Sequence, residues 1–327
     1  MISTKLPLRD VSLVPSEWIF EYYLNLNEKL MGQDVKILSP FNSKDSVPSM
    51  SIYLNSNGKY KFNDFSTGRK GDGINLVMHL QNIESPGLAI SKILEDYHNY
   101  NETSTYQERD VKIRDRYKVV SYHKRPWNSL DAKYWLNYNI SSKKLEEYNV
   151  IPLSGYSMSR DEDGIIKTLT FESGWLYGYF RSDGTLYKIY QPNNPERKFI
   201  KVSNYIQGTD QLKYKSRYLV IQKSLKDIMC LSSMNFNIEI VAPDSENSMI
   251  RSNLIDSYKL KYDSICVMMD NDDPGIAAMA KYTKEFGIPS LLYQKEKDIT
   301  DSVKKHGFEV IRKDLFPLLK KVLNEKK

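Results

Sequence analysis

The chain has 327 residues, with 47 Lys and Arg against 41 Asp and Glu for a formal net charge of +6, a length that supports two domains with proper cores and a second open to subdivision. No apolar run approaches the roughly 20 residues of a membrane span and no signal-type apolar stretch opens the chain, so the expectation is an intracellular, cytoplasmic protein with no membrane partner. The two cysteines, Cys230 and Cys266, exclude a disulfide framework, and the absence of any G-x-x-x-x-G-K-[ST] run excludes a P-loop ATPase.

In chain order, the first third carries Ser39-Pro-Phe-Asn42, Pro48-Ser-Met-Ser51, Tyr60-Lys-Phe62-Asn-Asp-Phe65 and Gly71-Asp-Gly. The basic and aromatic residues Lys59, Tyr60, Lys61, Arg69 and Lys70 offer either single-strand contact or an ordinary solvated hairpin with a Lys-rich turn. Helices are predicted over Gly73 to Asn82 and Ser85 to Tyr97, the latter with Pro86 in its first turn. Residues 99–117 are polar and charged without apolar periodicity and read as a linker. Ser129 to Tyr148 reads as helical, and Ile165 to Tyr190 as β-hairpins turning at Asp183-Gly184. A mild net charge requires any nucleic acid to meet a concentrated basic face. The hairpin stretch and Glu196-Arg197-Lys198-Phe-Ile-Lys201 resemble the mixed α/β lobe that precedes Toprim in primases, which implies that Arg181, Lys188, Arg197, Lys198 and Lys201 face the template groove, the alternative being lysines that guard exposed strand edges.

Beyond Arg217 the pattern changes to strands alternating with helices. Arg217 to Leu231 reads as strand, turn and helix; Ile238 to Ala242, Ser264 to Met269 and Pro289 to Tyr293 read as further strands. That order argues for a parallel sheet, whose ligand site lies beyond the carboxyl ends of its strands. Asp227, Asp244, Glu246, Asp270, Asp272, Asp298 and Asp301 all follow such ends. Period-two alternation places Asp270 and Asp272 on one side, and Asp273 before Pro274 reads as the helix N-cap.

The ordered elements Lys223-Ser-Leu-Lys226-Asp227, Asp270-Asn-Asp272 and Lys297-Asp298-Ile-Thr-Asp301 resemble the Toprim domain of primases and topoisomerases. Aligned on the Toprim E-G-x-x-D element, Lys223 stands where the family has its catalytic glutamate and Asp227 matches the aspartate. The N-terminal runs resemble the zinc-binding domain of bacterial and phage primases with every ligand replaced: Ser39 and Asn42 for the first Cys and the His, Phe62 and Phe65 for the C-x-x-C pair. A tetrahedral zinc site needs four N or S ligands, so the resemblance implies a zinc-less domain, with the two phenylalanines as substitute core.

The whole order resembles phage-type DNA primases. It implies an α/β fold: a Toprim parallel-sheet domain over 216–327, preceded by a mixed α/β basic lobe over 118–215 and a small α+β zinc-ribbon-like domain lacking zinc ligands over 1–98. The implied activity is template-directed, Mg²⁺-dependent (or Mn²⁺-dependent) synthesis of short primers from nucleoside triphosphates on single-stranded DNA, in a phage-infected bacterial host and beside a separate replicative helicase. Asp270, Asp272 and Asp298 would hold the metal, with Asp227 in the catalytic set and Lys226 at the nucleotide. The missing glutamate is supplied either by Glu246 from the neighbouring strand end or by Lys223 acting as an electrostatic clamp on phosphate. Two alternatives stay open: a catalytically inactive Toprim protein that binds single-stranded DNA in the replisome, and a Toprim nuclease.

Overall fold

Alternating burial organises the N-terminal unit. The computed structural model describes residues 10–107, 109, 111, 117–162, 164–195, 197–244 and 248–324, and the chain divides into two compact units, Met1–Arg116 with Asp161–Ile165, and Tyr117–Arg160 with Ile166–Lys327. The first contains α1 (Ser16–Leu24), β1 (Val35–Ile37), β2 (Met50–Leu54), β3 (Tyr60–Asp64), β4 (Lys70–Gly71), α2 (Gly73–Gln81) and α3 (Pro86–Thr103). The strands form one antiparallel sheet in the order β1-β2-β3-β4. In β2, Met50, Ile52 and Leu54 face inward, and in β3 Tyr60, Phe62 and Asp64 do so. Tyr60 is therefore a core residue and is not available for base stacking.

The inward acid is the distinctive feature of this unit. Asp64 is fully buried and accepts hydrogen bonds from the hydroxyls of Ser39 (2.7 Å), Ser66 (2.8 Å) and Thr67. Burial alone would raise its pKa, but the Thr67, Ser39 and Ser66 donors outweigh burial and hold it below the usual carboxylate value. The expected pair of core phenylalanines is only half present. Phe62 is buried beside Phe20 and Phe41, whereas Phe65 is 43% exposed. Phe62 and Phe65 are three residues apart, so period-two alternation sets them on opposite faces, and β3 ends at Asp64 before Phe65. His79 packs edge-on to Phe41 and Phe62.

The expected linker is partly structured. Helix α3 continues to Thr103 because Tyr97 and Tyr100 pack their ring edges on Trp18 at 4.8 and 5.7 Å. Beyond it, Tyr106 donates to Glu17 at 3.0 Å and Arg109 makes a two-pronged ion pair with Glu21 at 2.8 Å. Polar composition concealed an aromatic stripe at helical spacing.

The second unit is mixed α/β. It contains β5 (Lys118–Lys124), α4 (Ser129–Leu136), α5 (Ser142–Glu147), β6 (Val150–Glu162) as far as Arg160, β7 (Ile165–Phe180) from Ile166, β8 (Leu186–Tyr190) and β9 (Phe199–Lys201). These are followed by β10 (Tyr218–Ile221), α6 (Leu225–Ser232), β11 (Glu239–Val241), α7 (Ser252–Lys259), β12 (Ser264–Val267), α8 (Asp273–Phe286), α9 (Ile299–His306) and α10 (Phe308–Asn324). One sheet has the order β5-β6-β7-β8-β9, and the parallel sheet the order β11-β10-β12. The run at Pro289 to Tyr293 joins β12 through a single parallel bridge, Val267 to Ser290, so the expected fourth strand is reduced to one contact. The predicted long helix is two, because Asn139 adopts left-handed φ of 55° and Ser141 caps a new start.

One core runs across the boundary expected at residue 215. Trp135, Tyr177, Tyr179, Tyr187 and Tyr190 belong to the same apolar cluster as Val220, Leu225, Ile228 and Cys266. Within it Asp131, 1% exposed, takes two bonds from Arg125 (2.6 and 2.7 Å) and one from the Tyr177 hydroxyl (2.8 Å). Asp131→Ala strands a mostly buried guanidinium and is expected to cost about 3–5 kcal/mol. Urea unfolding measures this, and a loss near zero would show that Arg125 reaches water easily. Among the described residues no helix is long and apolar enough to cross a membrane.

Candidate functional site

The parallel strands end abruptly in polar residues because each hands over directly to a helix. After β10 come Gln222, Lys223 and Ser224; Ser224 is the N-cap of α6, and its hydroxyl donates to Asp227 at 2.6 Å. After β12 come Asp270, Asn271 and Asp272. Asp272, not Asp273, caps α8, accepting from the Gly275 amide at 2.9 Å. The helix starts one residue earlier than its proline suggests: Asp273 is its first residue and Pro274 its second. One Asp272 oxygen is therefore committed to the cap. Asp298 likewise caps α9, accepting from the Asp301 amide (2.6 Å) and the Thr300 hydroxyl (2.8 Å).

The strand-end acids are brought together, and lysines come with them. Asp270 is 2% exposed, and Lys223 donates to its Oδ2 at 2.5 Å. Lys297 lies 3.0 Å from Asp272 and 4.0 Å from the same Asp270 oxygen. The Asn271 amide, bonded to the Lys297 carbonyl at 2.6 Å, ties the two loops together. No local pattern marks Lys297 for this place; it stands beside the D-x-D pair because the loop after Tyr293 is bonded back to Asn271.

Gly275 is a further residue of this edge. A Cβ there would lie 2.2 Å from the Asp270 carbonyl oxygen and 3.0 Å from its amide nitrogen, so only glycine lets α8 start against the Asp270 backbone. The signal was present in Asp273-Pro-Gly275, where a glycine follows proline at a helix start.

The electrostatics record crowding. Burial, then the charges of Asp298 and Asp270, push Asp227 up to about 7. Burial, only partly offset by Lys223 and reinforced by Asp298 and Asp272, pushes Asp270 up to about 6. Asp272 goes the other way: burial would raise it, but the Gly275 amide and Lys297 hold it below the ordinary value. A carboxyl raised by folding is stabilising in its neutral form, so the Asp227 contribution is intact below about pH 4 and lost as pH climbs through about 7. Asp227→Asn removes that loss and is expected to stabilise the protein by on the order of 2 kcal/mol at pH 8, with little gain at pH 4.5. Urea unfolding at both pH values checks this; equal effects at the two would contradict it.

The donor chemistry, all carboxylate oxygen, is what a hard divalent cation requires. Its arrangement does not fit one: ammonium groups hold the Asp270 and Asp272 oxygens, and two of the acids act as helix caps. Among the described residues no group of three or more His, Cys, Asp or Glu side chains is placed to hold a metal. Glu246 lies outside the described residues.

The basic candidates separate into three kinds. Lys188 is buried on β8, 5.6 Å from the Phe199 ring, and Lys226 sits 3.5 Å over the Tyr138 ring. Neither lines an open groove, because the aromatic core draws in their long stems. Arg181 donates to the Asn204 carbonyl at 2.9 Å and to Ser203, and Lys201 pairs with Asp244 at 2.6 Å. Arg197 and Lys198 are exposed, before β9. Close by, a cavity of about 490 Å³ is lined by Phe171, Trp175, Gln191 and Asn194 among others.

Searches against protein-family models and against curated proteins find no match to this chain.

Proposed function

We propose that the chain is a phage-type DNA primase, with a Toprim domain as its C-terminal portion, synthesising short primers on single-stranded DNA. The observation that carries this reading is the gathering of Asp227, Asp270, Asp272 and Asp298 beyond the carboxyl ends of β10 and β12. Each of those acids lies in the motif that carries the resemblance, and the carboxyl edge of a parallel sheet is where such folds bind ligands. Exposed Arg197 and Lys198, with the aromatic wall of Phe171 and Trp175 nearby, supply phosphate pairing and base stacking for a template strand. Lys223 and Lys297 supply positive charge beside the acids.

A second reading is favoured by one observation. Each acid of the D-x-D pair is matched by a lysine, which suits a single-strand-binding replication protein that performs no chemistry. Pyrophosphate release from nucleoside triphosphates separates the two. On the primase reading it requires single-stranded DNA and Mg²⁺ or Mn²⁺. A chain that binds the strand and releases none is the non-catalytic protein, and one that nicks labelled DNA without synthesis is a nuclease.

A further inference from the structure

The mismatch between the acids of the sheet edge and a divalent cation has a specific cause. Lys223 leaves the end of β10 and places its ammonium 2.5 Å from Asp270, with 21% of the lysine side chain exposed. Asp270 is nearly inaccessible, Asp298 adds negative charge beside both Asp270 and Asp227, and Lys226 offsets that charge at Asp227 only in part. Lys297, on the outer side, satisfies Asp272 and reaches toward Asp270. The positive charge that a cation would bring is thus already delivered by the chain, at the innermost carboxylate.

We propose that the Lys223 ammonium stands in for a divalent cation at this edge, so that the site is closed to free metal, the ion that synthesis needs arriving on the nucleoside triphosphate, and removing the lysine charge opens the site to the free ion. This rests on the Toprim reading of the edge. It carries a consequence for that reading: the residue at the position of the family's glutamate is an internal counter-ion and a positioning group for Asp270. Coulomb attraction at a half-buried site favours the tethered charge, because its entropy of binding is already met by the fold.

The test is a Mn²⁺ titration of the full chain at pH 7.5 without nucleotide, by calorimetry and by loss of the free Mn²⁺ electron-resonance signal. Wild type is expected to bind more weakly than about 1 mM, the range of the weakest oxygen-ligand sites. Lys223→Glu is expected to bind at least about tenfold more tightly, with Lys223→Gln between the two, and adding Asp270→Asn to Lys223→Glu is expected to return binding to the wild-type level. Micromolar binding of one Mn²⁺ by wild type, lost in Asp270→Asn, overturns the proposal. So does a failure of both Lys223 variants to gain affinity while melting cooperatively. Absence of primer synthesis would overturn the primase reading and leave this titration as it stands.

Discussion

Asp64→Ala is expected to unfold the N-terminal unit or to leave it weaker by at least about 3 kcal/mol. The carboxylate is fully buried and is the common acceptor for Ser39, Ser66 and Thr67, which come from both sides of β3 in the chain. Removing it costs the buried Ser39 hydroxyl, the half-buried Ser66 hydroxyl and the Thr67 hydroxyl at the exposed edge their charge-assisted bonds. Asp64→Asn keeps the shape but offers one acceptor oxygen and a surplus donor, and a smaller loss is expected. Urea unfolding followed by tryptophan fluorescence reads this, since Trp18 lies in the same unit and Trp127, Trp135 and Trp175 in the other. An unchanged first transition in Asp64→Ala would mean that the hydroxyl cluster does not hold the unit together. It occupies the region where the resemblance places zinc, so the comparison measures what the chain uses at that point to fix its loops.

If the chain is the primase proposed above, Asp270→Asn is expected to lower primer synthesis by at least about 100-fold, roughly 3 kcal/mol of transition-state stabilisation, with strand binding unchanged. The amide is nearly isosteric, and its neighbour Lys223 is sufficiently exposed to turn toward water, so the fold should persist. Asp270 is the acid on which Lys223, Lys297 and the repulsion from Asp298 and Asp272 converge, and its loss removes the centre of the charge arrangement. Steady-state incorporation and template anisotropy, measured together, separate chemistry from binding. Equal activity of wild type and Asp270→Asn would take Asp270 out of the site.

Much of the fold could be read from local pattern. The inward series of β2 and β3, the Asp183-Gly184 turn and the strand-to-helix transitions after Ile221 and Val267 each depend on neighbours within a few residues. What local pattern did not show were features set by distant residues. Asp64 sits where a polar residue ordinarily marks a surface turn, and its burial depends on the hydroxyl of Ser39, 25 residues away, together with those of neighbouring Ser66 and Thr67. Residues 99–103 looked too polar for a packed helix because the partner of their aromatic stripe, Trp18, is about eighty residues away. The shared core across residue 215 follows from tyrosines of β7 and β8 facing α6, which alternation in β8 could not reveal because all five of its residues are buried. In the candidate site the acids were visible as strand-end motifs, whereas their lysine partners were not: pairing Lys223 with Asp270 requires β10 and β12 to be neighbours in register, Ile221 beside Val267.

The most direct measurement is a denaturing-gel assay of products formed by the full chain on single-stranded circular DNA with labelled nucleoside triphosphates, Mg²⁺ and Mn²⁺ being titrated from zero. A primase gives a ladder of short oligonucleotides that needs both template and divalent ion and vanishes in the Asp270→Asn, Asp272→Asn double variant. Retention of the DNA with no ladder at any ion concentration would contradict the assignment and leave a strand-binding protein whose acidic edge is sealed by its own lysines.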